Sequence, residues 1–121
     1  MRQIATINVS ALTQNGDAQS FDYTDAFGRP AKGLLLRWAG ELRAFRNLCP
    51  HWSMPLDADT GEFFDANKSA LLCKMHGARF DPANGECIMG PCEGDRLEAL
   101  QVEVSDDGNT ATIRRGRTLS F

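Results

Sequence analysis

The sequence lacks any hydrophobic run long enough to cross a membrane and any excess of basic residues. Its longest apolar stretches, such as Leu34-Leu35-Leu36, fall far short of the roughly 20 residues that a spanning helix needs. It has 13 Lys and Arg against 16 Asp and Glu, and the net charge of −3 gives no signal for binding nucleic acid. Residues 1–13 contain no continuous hydrophobic region. We therefore expect neither a signal peptide nor a membrane anchor, and a cytoplasmic protein.

The sequence is also poor in histidine, and each of its two histidines closely follows a cysteine. The two motifs are Cys49-Pro50-His51 and, 21 residues later, Cys73-Lys74-Met75-His76. Each motif offers one thiolate and one imidazole, so together they supply two sulfur and two nitrogen ligands for metal. Pro50 fixes its own φ and stiffens the first turn, whereas Gly77, directly after the second motif, permits a positive φ.

The same residues allow other interpretations. A tetrahedral zinc site could use these four side chains, although structural zinc loops usually place two cysteines two to four residues apart. The four cysteines could form two disulfides, although the composition is that of a core-forming domain and not of a disulfide scaffold. The two histidines could simply be packed or exposed residues, although both fall at ligand positions. A metal site requires free cysteine thiols, whereas the disulfide interpretation requires all four cysteines to be bridged.

The two motifs and the residues around them resemble the Rieske family, in which a Cys-x-His loop and a Cys-x-x-His loop hold a [2Fe–2S] cluster. The likeness spans roughly residues 33–115 and includes segments 42–48, 76–81 and 85–91. It implies one cluster per chain with unequal ends, because two histidines replace two cysteines on one iron. The site residues that it implies are Cys49, His51, Cys73 and His76.

The pattern of turn-forming residues predicts an all-β protein. Gly, Pro and Asp recur about every eight to twelve residues, and no segment has a convincing amphipathic helical pattern. We predict strands at 4–9, 32–38, 41–47, 69–72, 78–81, 97–104 and 110–114. The length of 121 residues indicates a single domain, 1–121. The Rieske resemblance implies an antiparallel β-sandwich or barrel base with an inserted cluster-binding subdomain at about 48–91.

The resemblance also implies a function. Ferredoxins of this family carry one electron from a flavin-dependent reductase to a terminal oxygenase or another redox acceptor. An alternative is a small subunit of a larger oxidoreductase, similar to that of assimilatory nitrite reductase. We do not expect an enzyme, because a cluster with filled iron sites leaves no position for substrate. An oxygenase would also need two further histidines for its mononuclear iron. Electrons would pass at the exposed edges of His51 and His76.

One segment departs from the family pattern. Residues 57–68, called the acidic segment below, lengthen the connection between the two motifs. They contain an apolar pair, Phe63-Phe64, and four acidic residues, Asp57, Asp59, Glu62 and Asp65. We expect a solvated loop anchored by the aromatic pair. The alternative is a docking feature for a redox partner beside the cluster.

The remaining differences from relatives concern the reduction potential and the other two cysteines. High-potential relatives have a disulfide between the ligand loops and two hydroxyl donors near the cluster. The matching positions here hold Met54 and Met75, and Ala78 and Phe80. We therefore expect a potential in the lower half of the Rieske range of about −150 to +300 mV. Gly90-Pro91 matches a third loop that covers the cluster. Cys87 and Cys92 are expected to be free and buried, with a bridge between them as the alternative.

Overall fold

The computed structural model describes residues 3–49, 55–57, 62–74, 77–90 and 94–114. Within these ranges every regular element is a β-strand, which confirms the all-β prediction. No helix in the described part of the chain is long and apolar enough to cross a membrane. The strands are β1 Gln3–Asn8, β2 Ala18–Thr24, β3 Pro30–Trp38, β4 Glu41–Arg46, β5 Leu71–Leu72, β6 Arg79–Phe80, β7 Cys87–Met89, β8 Ala99–Val104 and β9 Thr110–Arg114.

The strands form one large and one small antiparallel sheet. The large sheet has the order β1-β9-β8-β4-β3-β2, and its two outer strands, β1 and β2, also contact each other. The sheet is therefore a nearly closed barrel, which leaves little exposed edge for pairing with another chain. The small sheet has the order β5-β6-β7 and lies wholly within residues 48–91, the predicted cluster-binding subdomain.

Three consecutive leucines in β3 explain how the two sheets are joined. Leu34, Leu35 and Leu36 are all fully buried, although alternate side chains of a strand point to opposite faces. Leu35 packs in a core cluster with Ala111 and Ile113 of the barrel. Leu34 and Leu36 pack on the other face, in a cluster that contains residues from the small sheet and the loops around it. Both faces of β3 are thus covered, one by the barrel core and the other by the inserted segment.

All seven predicted strands match observed strands within two residues at each end, although 69–72 is observed as the shorter Leu71–Leu72. Two observed strands, β2 and β7, were not predicted. In β2 only Tyr23 is buried, so the hydrophobic pattern is weak and the strand is defined by its pairing with β3. Phe21 of β2 lies over Gly33 of β3, where a Cβ atom would come within 2.1 Å of the phenyl ring. Glycine at that position lets the aromatic ring cover the partner strand.

Candidate metal centre

Cys49 follows directly from the large sheet. Strand β4 ends at Arg46. The pairing with β3 extends one residue further, because the Asn47 N–H donates to the Lys32 carbonyl at 2.8 Å. Cys49 then lies fully buried in the cluster that covers the outer face of β3. The first ligand motif therefore starts from a rigid strand end, which fixes the position of its thiol.

Cys73 directly follows strand β5 of the small sheet, and backbone bonds join it to the residues that come after the second motif. The Cys73 N–H donates to the Ala78 carbonyl and the Gly77 N–H donates to the Cys73 carbonyl, both at 2.8 Å. Gly77 has a φ of 72°, as expected from its place after the second motif. These bonds hold together the two ends of residues 73–78, called the second ligand loop below. Cys73 itself is fully buried.

The structure brings the two predicted cysteine ligands into one apolar environment. Cys49 and Cys73 belong to the same buried cluster, together with Leu56, Phe63 and Phe80. Both are free thiols, so the interpretation of four cysteines as two disulfides is wrong. Two buried free thiols on separate loops fit the sulfur half of a two-iron cluster, because thiolate is the ligand that iron–sulfur clusters prefer. The predicted histidine ligands, His51 and His76, lie outside the described residues.

A buried polar network holds the ends of the first ligand loop, residues 48–55, together. Asn47 precedes the loop, and its Oδ1 accepts the Leu56 N–H at 2.8 Å. Its Nδ2 donates to Asp57 Oδ1 at 3.1 Å, and both side chains are almost completely buried. The Leu56 carbonyl in turn accepts the N–H of Lys74 at 2.9 Å, so the network reaches the second ligand loop. Asn47 and Leu56 thus connect the two ligand loops.

The described residues of the acidic segment, 57 and 62–68, are partly exposed and partly packed against the protein, so the expectation of a solvated loop is corrected only for two of the acids. Phe63 is buried, and Phe64 stacks on Trp38 with the ring centroids 5.8 Å apart, so the predicted aromatic anchor is confirmed. Asp57 and Asp65, however, are also buried. Their carboxylates bond to groups inside this protein, so neither belongs to an acidic docking patch. Of the other two predicted acids, Glu62 is exposed and Asp59 lies outside the described residues.

Asp65 is the most heavily bonded of these acids. Its carboxylate accepts the Ser69 N–H at 2.8 Å, the Ser69 hydroxyl at 3.0 Å and the Ala70 N–H at 3.4 Å. It also pairs with Arg79 Nη1 at 2.6 Å. The backbone bond from Ser69 is the largest cause that holds the pKa of Asp65 below its ordinary value, and the arginine adds to the same effect. The side chain is therefore ionised at neutral pH.

The third loop, after β7, packs on the second. Gly90 has a φ of 111°, and a Cβ atom there would lie 2.9 Å from the Cα of Ala78. Only glycine allows this close approach of the two backbones. The expectation of a free cysteine is wrong for Cys87, which is disulfide-bonded. The remaining cysteine, Cys92, comes five residues later and lies outside the described residues. Two cysteines so close in sequence lose little conformational entropy when a disulfide joins them.

Comparison with known proteins agrees with this architecture. A family model described as the Rieske [2Fe-2S] domain matches residues 6–106. The chain belongs to the Rieske [2Fe–2S] family, and its cofactor is a Rieske-type [2Fe–2S] cluster. The sequence has no match among the curated proteins compared with it.

Three solved structures illustrate the fold. The ferredoxin of carbazole 1,9a-dioxygenase from Nocardioides aromaticivorans IC177 is 23% identical, with a TM-score of 0.70 over 96% of this chain and 100% of that one. A ferredoxin of Sphingomonas yanoikuyae B1 is 20% identical, with a TM-score of 0.66 over 95% and 100%. A putative NADH-dependent nitrite reductase small subunit from Mycobacterium tuberculosis is 16% identical, with a TM-score of 0.63 over 97% and 100%. At these identities the likeness establishes the Rieske fold.

Sequence reasoning identified the two cysteines but missed the polar side chains that support them. Asn47 and Arg79 were not predicted to have a role, and Asp65 was considered only as part of a possible docking feature. A signal was present for Asn47, because a polar residue between an apolar strand and a ligand cysteine has to find a partner if it is buried. For Asp65 and Arg79 the only signal was their charge, and charge alone does not identify a partner 14 residues away.

Proposed function

We propose that the protein is a one-electron carrier that accepts an electron from a flavin-dependent reductase and delivers it to a terminal oxygenase. The observation that supports this most directly is a Rieske family match over residues 6–106 with two free, fully buried cysteines at the expected ligand positions. Similar structures include a ferredoxin in complex with the reduced oxygenase of carbazole 1,9a-dioxygenase. The cytoplasmic location stays a prediction.

We assign Cys49, His51, Cys73 and His76 as the ligands of one cluster per chain, within a single domain 1–121. The cluster supplies a one-electron redox couple. The protein's part is to hold the thiolates and to exclude water from them, and the burial of Cys49 and Cys73 among apolar side chains serves both purposes. Because both histidines of the chain are assigned to the cluster, these residues supply no two-histidine site for a mononuclear iron. A carrier role therefore fits the inventory better than an oxygenase role.

Metal and sulfide analysis of anaerobically purified protein tests the ligand assignment. We expect about two iron and two sulfide per chain, visible absorption, and nitrogen hyperfine coupling in the magnetic resonance spectrum of the reduced form. Cys73→Ala should lose the iron. Cys87→Ala is the matched control, since it removes a cysteine of the same small sheet that is not a ligand, and it should keep the iron. A colourless, folded protein with stoichiometric zinc would contradict the assignment.

A second candidate is a fixed Rieske subunit of a larger oxidoreductase, which the likeness to a nitrite reductase small subunit over 97% of this chain favours. The two roles differ in how the protein meets its partners. A carrier forms transient complexes, so its rate of reduction by the reductase should rise with its concentration and depend on salt. A subunit should co-purify from its host in a stoichiometric complex. Isolation of such a complex, with no electron transfer by the free protein, would support the second candidate.

A further inference from the structure

One cation lies in the second ligand loop and another directly follows it, and each is paired with an acid of the acidic segment. Lys74 lies inside the loop, directly after Cys73, and its Nζ is 3.2 Å from Glu62 Oε1. Arg79 follows the loop, and its Nη1 is 2.6 Å from Asp65 Oδ2. The acidic segment thus provides an acidic partner for both cations at the loop that carries two of the four assigned ligands.

The two ion pairs differ in their exposure to solvent. The side chain of Asp65 is 8% exposed and that of Arg79 is 35% exposed, whereas Glu62 is 76% exposed. Water and salt screen an exposed charge strongly and a buried one much less. The carboxylate of Asp65 is also fixed in place by Ser69 and Ala70, so it does not reorient when charge changes nearby. The charge of Asp65 is therefore screened less than that of Glu62 and has an electrostatic effect over a longer distance.

Arg79 is directly connected to the geometry of the ligand loop. It is the first residue of β6 and pairs with Leu72, the residue before Cys73. Its neighbour Ala78 accepts the Cys73 N–H. A shift of Arg79 would consequently move both ends of the turn that presents Cys73.

We propose that Asp65 is a positioning residue that fixes Arg79 beside the second ligand loop and, by neutralising the charge of Arg79, lowers the reduction potential of the cluster. The proposal rests on the assigned function, since it requires a cluster bound at Cys73. Reduction adds one negative charge to the cluster. An unpaired cation beside the loop would favour that reduced state, and a buried carboxylate opposes it. The acidic segment thus adjusts the potential from inside the protein instead of binding a partner.

The test is a double-mutant cycle read out as reduction potential. Asp65→Asn keeps an acceptor for Ser69 but removes the charge. The equilibrium constant for reduction should therefore increase about threefold, which raises the reduction potential by roughly 30 mV. Arg79→Gln should lower the potential, and the double variant should return close to the wild-type value. A structural role alone would destabilise the variants without giving shifts of opposite sign.

Glu62→Gln is the matched control, because it removes the acid that pairs with Lys74. Its shift should be smaller than that of Asp65→Asn and should vanish at high salt, while the Asp65 shift persists. Equal shifts for the two variants, or no shift in Asp65→Asn with full iron content, would overturn the proposal. If Asp65→Asn does not fold, the sign of the Arg79→Gln shift decides. Absence of iron from the wild-type protein would instead contradict the assigned function.

Discussion

Replacing Asn47 by alanine should lower the free energy of unfolding far more than removing an exposed side-chain amide does. The substitution removes two buried hydrogen bonds, from the Leu56 N–H and to the Asp57 carboxylate. Each is worth about 1 kcal/mol, and leaving the buried Leu56 N–H without its acceptor costs about 1 to 3 kcal/mol more. We expect the free energy of unfolding to fall by about 3 to 5 kcal/mol, which corresponds to roughly 10 to 20 °C in Tm for a domain of this size.

The chain offers a close control in Asn84. Its Oδ1 also accepts a backbone N–H, from Glu86 at 2.9 Å, and its Nδ2 also donates to a carboxylate, that of Glu86 at 2.9 Å. Asn84 is exposed, however, so water replaces both bonds when the amide is removed. Asn84→Ala should therefore change the free energy of unfolding by no more than about 0.5 kcal/mol.

The assay is thermal unfolding of the holoprotein by circular dichroism, combined with the rate of iron release to a chelator. Asn47→Ala should release iron faster than wild type, because the Asn47 network spans the ends of the first ligand loop and reaches Lys74 in the second. The two alanine variants are compared under identical anaerobic conditions. If they match in both Tm and iron release, the Asn47 network does not hold the ligand loops and our reasoning is refuted.

Two further predictions concern the potential and the disulfide. Ala78 and Phe80 are fully buried and have no hydroxyl; donors there that favour the reduced cluster by about 1 kcal/mol each should make Ala78→Ser with Phe80→Tyr raise the potential by roughly 80 mV in voltammetry at one pH. An unchanged potential in a folded, iron-replete double variant would contradict this. Cys87→Ala should lower the free energy of unfolding by about 2 kcal/mol, measured in denaturant, because it removes a disulfide. Iron loss as severe as in Cys73→Ala would show that Cys87 is needed at the metal centre.

The strands that could be predicted from sequence are those whose own residues and adjoining turns indicate a strand. Strands β3 and β4 combine apolar residues with a turn at Ala39-Gly40, where both residues have a positive φ. The turn and the strands can be recognised without knowing what they pack against. Strand β2 has mostly exposed or half-buried side chains, and seven consecutive pairs with β3 define it. Its stability comes from a neighbour, so its own residues give little indication of it.

The same distinction explains the error over the acidic segment. Four carboxylates in twelve residues predict solvation when only composition is considered, because unpaired carboxylates are rarely buried. Asp57 and Asp65 are exceptions since their donors come from elsewhere in the chain, from Asn47 ten residues earlier and from Arg79 fourteen residues later. Only the folded arrangement brings these donors to the carboxylates. A charged residue near a ligand motif is therefore as consistent with an internal role as with a docking role.

The two-sided burial of β3 connects the barrel to the metal centre. Leu35 is part of the barrel core, while Leu34 and Leu36 share a cluster with Cys49 and Cys73. Since packed interiors deform little, a strand that is fixed by the barrel on one face is a rigid support for the loops on the other. In the described residues, the loops are also held by the Asn47 network, by the backbone bonds of Cys73 and by the packing of Gly90 on Ala78. Rigid packing positions the thiolates, and the buried charges that this packing shields from water can act on the potential.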